Sequence, residues 1–300
     1  MRSAALLGIG VALLGALSWA ANYLLIRLGM EQQRPTDVVL VAVLCQAGVV
    51  VPVALVAHHS EYGLTATTLL IFTAAGLASG VLGRVCQYES TNRIGASRTS
   101  PIVASAGLVS TGLAVLLLGE GVTPSHLLGI LLVVVGTAAT SWETASQRQS
   151  ATRREVGVAL ALPMGAAVLY GIEPVLVKLG LERGTPPLVG LAVMAVAAAV
   201  AFFGYRSTVG PVHLSESFSG VGGRYSVGAG VLSAFAYLAY ITSLSMAPVV
   251  IVLPIFQTTP LLVAGLSLVF MPRHLERVSW RLAASATVVV VGATLVSLAA

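Results

Sequence analysis

Apolar runs of about 20 residues, the length that crosses the hydrocarbon core of a bilayer, recur along nearly the whole 300-residue chain with short connections between them. In lipid a backbone must satisfy its own polar groups, and a helix does so within one segment. The runs lack the apolar/polar alternation of barrel strands, so they are read as helices. Charged residues make up 9% of the chain, against about 25% in soluble domains, and water cannot be the solvent for most of such a surface. The runs fall at 4–30, 37–58, 65–92, 97–118, 124–142, 156–180, 187–205, 226–246, 250–271 and 276–299. The prediction is an all-α integral membrane protein of ten transmembrane helices. The first run is longer than the apolar part of a secretory signal and shows no cleavage site, so it counts as a span.

Two connections are polar enough to stand out. The segment 143–155 (ETASQRQSATRRE) divides the chain into 1–145 and 156–300, with 146–155 as linker, and the segment 206–224 reads as the longest solvated loop. The net charge of +5 does not point to nucleic acid, because the arginines sit singly in short loops between apolar runs. They read instead as orientation signals. With ten alternating spans, the face holding both termini carries Arg2, Lys178 and Arg183, 3 in all. The opposite face carries 12: Arg27, Arg34, Arg93, Arg98, Arg148, Arg153, Arg154, Arg206, Arg224, Arg273, Arg277 and Arg281. Basic loops stay in the cytoplasm, which puts both termini outside a plasma membrane.

The halves repeat one another. Ile26-Arg27-Leu28-Gly29-Met30-Glu31 ends the first span, and Val177-Lys178-Leu179-Gly180-Leu181-Glu182 ends the sixth, 151 positions later. Glu120-Gly121-Val122-Thr123 precedes the fifth span, and Glu276-Arg277-Val278-Ser279 precedes the tenth, 156 positions later; Val135-Gly136-Thr137 and Val291-Gly292-Ala293 share that offset. Matches at both ends of a unit indicate duplication. A unit with an odd number of spans leaves its second copy inverted in the membrane, the design of many secondary transporters.

These features, with Gly15-Ala16-Leu17-Ser18-Trp19-Ala20-Ala21-Asn22-Tyr23 in the first span and Tyr88-Glu89-Ser90-Thr91-Asn92-Arg93-Ile94-Gly95-Ala96 at the turn between the third and fourth, resemble the EamA family of the drug/metabolite transporter superfamily. The resemblance covers nearly the whole chain and implies a ten-helix permease with a central cavity; it does not imply one substrate. The chain departs from the family habit of a proline about 13 residues before the loop glutamate, since Gly107 stands there in the first half. The position matching Asn22 is Glu173, so the two halves offer different chemistry to a site. Many relatives also keep their termini inside, against the arginine count.

Glu173 is the most informative residue. It lies well inside the sixth span, between Tyr170 and Pro174, where an ionised side chain costs at least a few kcal/mol unless it faces a cavity, finds a partner or takes up a proton. It reads either as a proton-coupling or substrate-amine site, or as one half of a static ion pair inside the bundle. Arg84, in the third span with Gln87 and Tyr88 at i+3 and i+4, either holds a substrate carboxylate, pairs with Glu173, or snorkels to the span end. Trp19, Asn22 and Tyr23 share one face of the first span, as a cavity wall or as helix packing. Tyr237 and Tyr240 in the eighth span, Gln257 with Thr258 in the ninth, Tyr170 in the sixth and Gln46 in the second complete the cavity candidates. Pro101, Pro163, Pro174, Pro254 and Pro260 fall inside spans, where they shape packing or act as gates. Glu120 and Glu276 read as helix N-terminal anchors.

Neither a metal nor a cofactor is predicted. His58-His59 has no further ligand at metal spacing, Cys45 and Cys86 lie inside apolar runs, and Gly220-Val221-Gly222-Gly223 lacks the ending of a phosphate loop. The sequence carries no nucleophile–base pair for a membrane enzyme and no ring of like polar residues for a channel. It predicts a secondary transporter of a small metabolite or drug-like solute, working by alternating access, as an exporter with possible proton coupling. The alternatives are a non-transporting scaffold or sensor, or a membrane-embedded enzyme. Small-molecule substrate and lipid are the expected partners, without nucleic acid; the oligomeric state stays open.

Overall fold

The computed structural model describes residues 2–59, 61–87, 90, 103, 105–145, 153–211, 213–256, 258–270 and seven positions between 284 and 295. Among these residues the chain is helical and contains no strand. The helices are α1 (Arg2–Met30), α2 (Pro35–Ala57), α3 (Ala66–Leu77), α4 (Ala106–Leu113), α5 (Pro124–Ala145), α6 (Arg153–Leu181), α7 (Pro187–Val209), α8 (Gly220–Met246), α9 (Val249–Phe256) and α10 (Thr259–Phe270). α3 runs on through a π turn, Ala78–Gly83, and α4 through another, Ala114–Leu118.

Local chemistry sets several of the boundaries. Pro35 and Pro187 open α2 and α7 at the first turn, where a missing N–H costs nothing. Thr65 caps α3 in a reciprocal box with Thr68: each hydroxyl accepts the other's backbone N–H, at 3.1 and 2.9 Å. Gly119, at φ 66°, takes the left-handed position that ends the fourth apolar segment.

Among the described residues six helices are long and apolar enough to cross a membrane: Leu6–Met30, Thr36–Ala57, Ala66–Gln87, Ala161–Leu181, Pro187–Thr208 and Gly220–Met246. Ala106–Leu118 and Pro124–Gly136 are shorter apolar helices, and the segments expected at 250–271 and 276–299 lie partly outside the described residues. At most half of each span is buried by protein. The rest presents residues such as Leu70, Leu116, Val200 and Phe235 outward, a surface that suits acyl chains.

The core is interleaved. α1 packs chiefly on α8 and then on α10 and α9, and barely on α2. α2 lies against α8 and α7, α3 against α7 and α6, and α4 against α6. Small residues permit these approaches, as in other membrane bundles. A Cβ on Gly76 would lie 2.6 Å from the Met194 carbonyl oxygen, and one on Gly80 2.7 Å from the Ala198 Cβ, so α3 and α7 meet almost backbone to backbone.

Polar contacts tie helix ends together, and each joins ends that strict alternation of spans places on the same face. On the face of the N-terminus, Lys178 Nζ donates to the carbonyls of Leu244 at 2.7 Å and Ala247 at 3.3 Å, and the Thr185 hydroxyl donates to the Gly63 carbonyl. A cation on the last carbonyls of α8 is favourable at a helix C-terminus. On the opposite face Arg206 Nε donates to Asp37 Oδ1 at 2.6 Å, and Gln33 Nε2 donates to the Ser217 carbonyl.

Three expectations change here. α8 starts at Gly220 rather than near 226, and α7 runs to Val209, so the connection 206–224 is much shorter than read from its Gly and Ser content. Arg206 is only 3% exposed and ion-paired across α2 and α7 rather than solvated in a loop. Glu120 does not cap the helix that follows it. Its carboxylate accepts the N–H groups of Val249 (2.9 Å) and Val250 (3.1 Å), closing the N-terminus of α9 on the far half of the chain. The reason is proximity: antiparallel neighbours bring that helix start to the same face as the loop. Glu276 lies outside the described residues.

Candidate functional site

Glu173 sits in the second half of α6, two turns before its end, 6% exposed, immediately before Pro174. Its Oε2 accepts the hydroxyl of Tyr240 on α8 at 2.9 Å, while its Oε1 is buried with no hydrogen-bond partner. Among the described residues no ion pair joins it; Arg206 with Asp37 is the pair found there. The expected static pair with Arg84 is not formed, and Arg84 is engaged in an interaction of its own. A buried carboxylate with half of its acceptor capacity unmet is costly, and such a group marks a place where a proton or ligand belongs.

Aromatic rings close over this pair. Trp19 of α1 meets Tyr237 at 5.0 Å and Phe256 at 5.2 Å, both edge to face, and Tyr240 at 5.7 Å. Tyr240 and Phe256 are edge to face at 5.1 Å. Gly15, one turn before Trp19, makes room: a Cβ there would stand 2.7 Å from the Phe256 ring. The cluster therefore draws on α1, α6, α8 and the end of α9.

Tyr237 also lines a small cavity with Gln46 from α2, Ser79 and Arg84 from the third span, and Met194 and Ala198 from α7. Ser233 donates to Gln46 Oε1 at 2.9 Å, holding that amide in place. The π turn Ala78–Gly83 shifts the register of the third span where Ser79 and Gly80 reach the cavity, a common use of π bulges. The cavity measures about 20 Å³, room for about one water molecule. A solute larger than water fits there only if the side chains around the cavity move apart.

Trp19, Tyr237, Tyr240 and Glu173 come together, and Arg84 lines the adjoining cavity. Tyr170 instead donates to Gln87 Oε1 at 2.8 Å near the end of the third span. Asn22 is buried, and its side-chain N–H bonds the Ala229 carbonyl across α1 and α8. The side chain of Tyr23, and Tyr88 and Gln257 altogether, lie outside the described residues. Phe256, Ser79 and Gly15 were missed as site-builders. Phe256 and Ser79 sit in uniformly apolar runs that give no local signal.

The model of the EamA-like transporter family matches residues 6–142 and then, a second time, residues 156–298. The chain belongs to the EamA-like transporter family. Membership makes it a multi-pass membrane protein of a transporter family and points away from an enzyme. Its EamA relatives include a Lactobacillus johnsonii protein named, provisionally, for sugar uptake, 30% identical over 184 residues. That match takes in 59% of this chain and spans 61% of the relative's length. The EamA chain also superposes on a crystal structure with a TM-score of 0.80, over 100% of this chain and 98% of the other, at 16% identity. At that identity the likeness concerns the fold alone.

Proposed function

We propose that the protein is a secondary carrier that moves a small solute across the plasma membrane by alternating access, coupled to protons through Glu173. In this reading ten spans form two inverted five-helix repeats, 1–145 and 156–300, joined by the linker 146–155, with both termini outside and export as the working direction. The observation that carries it is the buried carboxylate with one unpartnered oxygen, set among helices from both halves of the chain. A group that must be either protonated or liganded can tie the two events together. The paired contacts between helix ends on each face support a bundle that opens alternately to either side. The name of the Lactobacillus relative adds sugars to the solutes to be tried.

The test is counterflow and pH-gradient-driven flux in liposomes of purified protein, with hexoses, amino acids, polyamines and quaternary amines, and a pH dye inside. One class should move faster than in protein-free liposomes, with matching proton movement. Flux of no class above that background would overturn the carrier reading and favour a scaffold.

A further inference from the structure

We infer that the aromatic cluster of Trp19, Tyr237, Tyr240 and Phe256, with the Glu173 carboxylate hydrogen-bonded to one of its rings, is a binding site for a compact organic cation of the alkylammonium type. The inference rests on the carrier reading and narrows it to a substrate class.

Two properties of the site select this ligand together. The first is charge. Glu173 Oε1 is buried and unpartnered, and no cationic side chain pairs with it among the described residues. The missing partner is therefore a proton or a cation brought in from outside. The second is the wall. Four aromatic side chains lie within one connected set of ring contacts, at 5.0 to 6.3 Å between centroids. Their faces carry negative potential, attract ammonium groups, and do so most strongly where water is excluded. A carboxylate alone would suit any cation, a hydrated metal ion included. Aromatic walls favour one whose charge is clothed in methyl or methylene groups, because these give the rings apolar contact as well.

Hydrogen-bonding capacity argues against a polyhydroxylated solute in this cluster. Asn22, the amide nearest in sequence to Trp19, is committed to the Ala229 carbonyl, and the Tyr240 hydroxyl is committed to Glu173. A sugar could donate one hydroxyl to Glu173 Oε1 but would bury several more with few partners, and each unmet one weakens binding. Size follows from Gly15. The Phe256 ring already fills the space a Cβ would need there, and Ala239 lies 3.1 Å from the same point. The ring thus has a fixed backstop, and the cation must part Trp19 from its neighbours rather than displace Phe256 outward. That limits the site to a small headgroup.

The experiment uses the full chain in detergent with Trp142→Phe and Trp280→Phe, which leaves Trp19 as its sole tryptophan. Its fluorescence is titrated with choline, with the uncharged alcohol in which carbon replaces the choline nitrogen, and with glucose. A saturable change with choline is expected, at least about tenfold weaker for the uncharged isostere and absent for glucose. Glu173→Gln should weaken choline binding by about tenfold or more. Gly15→Ala, which pushes Phe256 into the cluster, should weaken it several-fold while leaving Glu173 in place, and it serves if the first variant does not fold. Equal binding of the isostere, binding of glucose instead of choline, or no saturable change with any of the three overturns the inference. Failure of the carrier reading looks different: choline binds in detergent, yet nothing moves in liposomes.

Discussion

Glu173→Gln should abolish pH-gradient-driven solute movement in liposomes while melting within a few degrees of wild type. The amide has nearly the same shape as the carboxylate, and its oxygen can still accept the Tyr240 hydroxyl that now bonds Oε2. What it loses is the ability to exchange a proton or hold a cation. Folding should not suffer, because the wild-type site already buries an oxygen without a partner, and removing a buried charge relieves desolvation rather than adding to it. Flux and melting temperature are read on the same preparation. A Gln variant with undiminished gradient-driven transport would remove Glu173 from coupling. A variant that no longer folds would show instead that the carboxylate is structural. Tyr240→Phe is the natural companion: it keeps the titrating group, and coupling should survive at reduced rate.

Arg206→Met should lower the stability of the folded protein by about 3 kcal/mol, the low end of the cost of stripping one partner from a buried ion pair. Asp37 is 16% exposed at its side chain, which moderates the loss. Arg206 also donates to the Gly210 carbonyl at 3.1 Å, so the same change frees the chain just after α7. Replacing both partners, Asp37→Asn with Arg206→Met, should recover most of the loss, since no charge is then left alone. Thermal melting in detergent at several salt concentrations measures it. The pair is shielded from solvent, so its contribution should change little with ionic strength. A single variant that melts like wild type would mean the pair is no more than a surface contact.

Six of the spans were legible because lipid imposes one rule on every stretch it surrounds, and that rule depends on composition over about 20 residues rather than on neighbours. Glu173 was legible for the same reason: a carboxylate in mid-span is conspicuous whatever surrounds it. Its partner was not. Arg84 was the obvious counter-charge in the sequence, yet Tyr240, 67 positions along the chain, makes the contact. Which helix faces which follows from packing that local pattern does not encode. Arg206 illustrates the opposite error. Its surroundings in sequence are rich in Gly and Ser, and only the approach of α2 brings Asp37 to it. Asn22 looked equally suited to wall or packing, and only the approach of α8 brings the Ala229 carbonyl to its amide. Phe256 joins the site through a contact with Gly15 in the first span, which neither residue announces alone.

The interleaving of the helices bears on how the protein is made. α1 is made well before its principal neighbour, α8, which begins at Gly220, and before α9 and α10, which also pack on it. Until those helices emerge, α1 must therefore wait in lipid, or beside the insertion machinery, without its final companion. The Glu120 carboxylate waits in the same way for backbone groups that appear 129 positions later. A half-length chain would enter the membrane, since α1, α2 and the third span are each apolar enough to do so, yet it would hold helices whose best-fitting surfaces face nothing but acyl chains. Final assembly is thus a late event that waits on the helices from α8 onward.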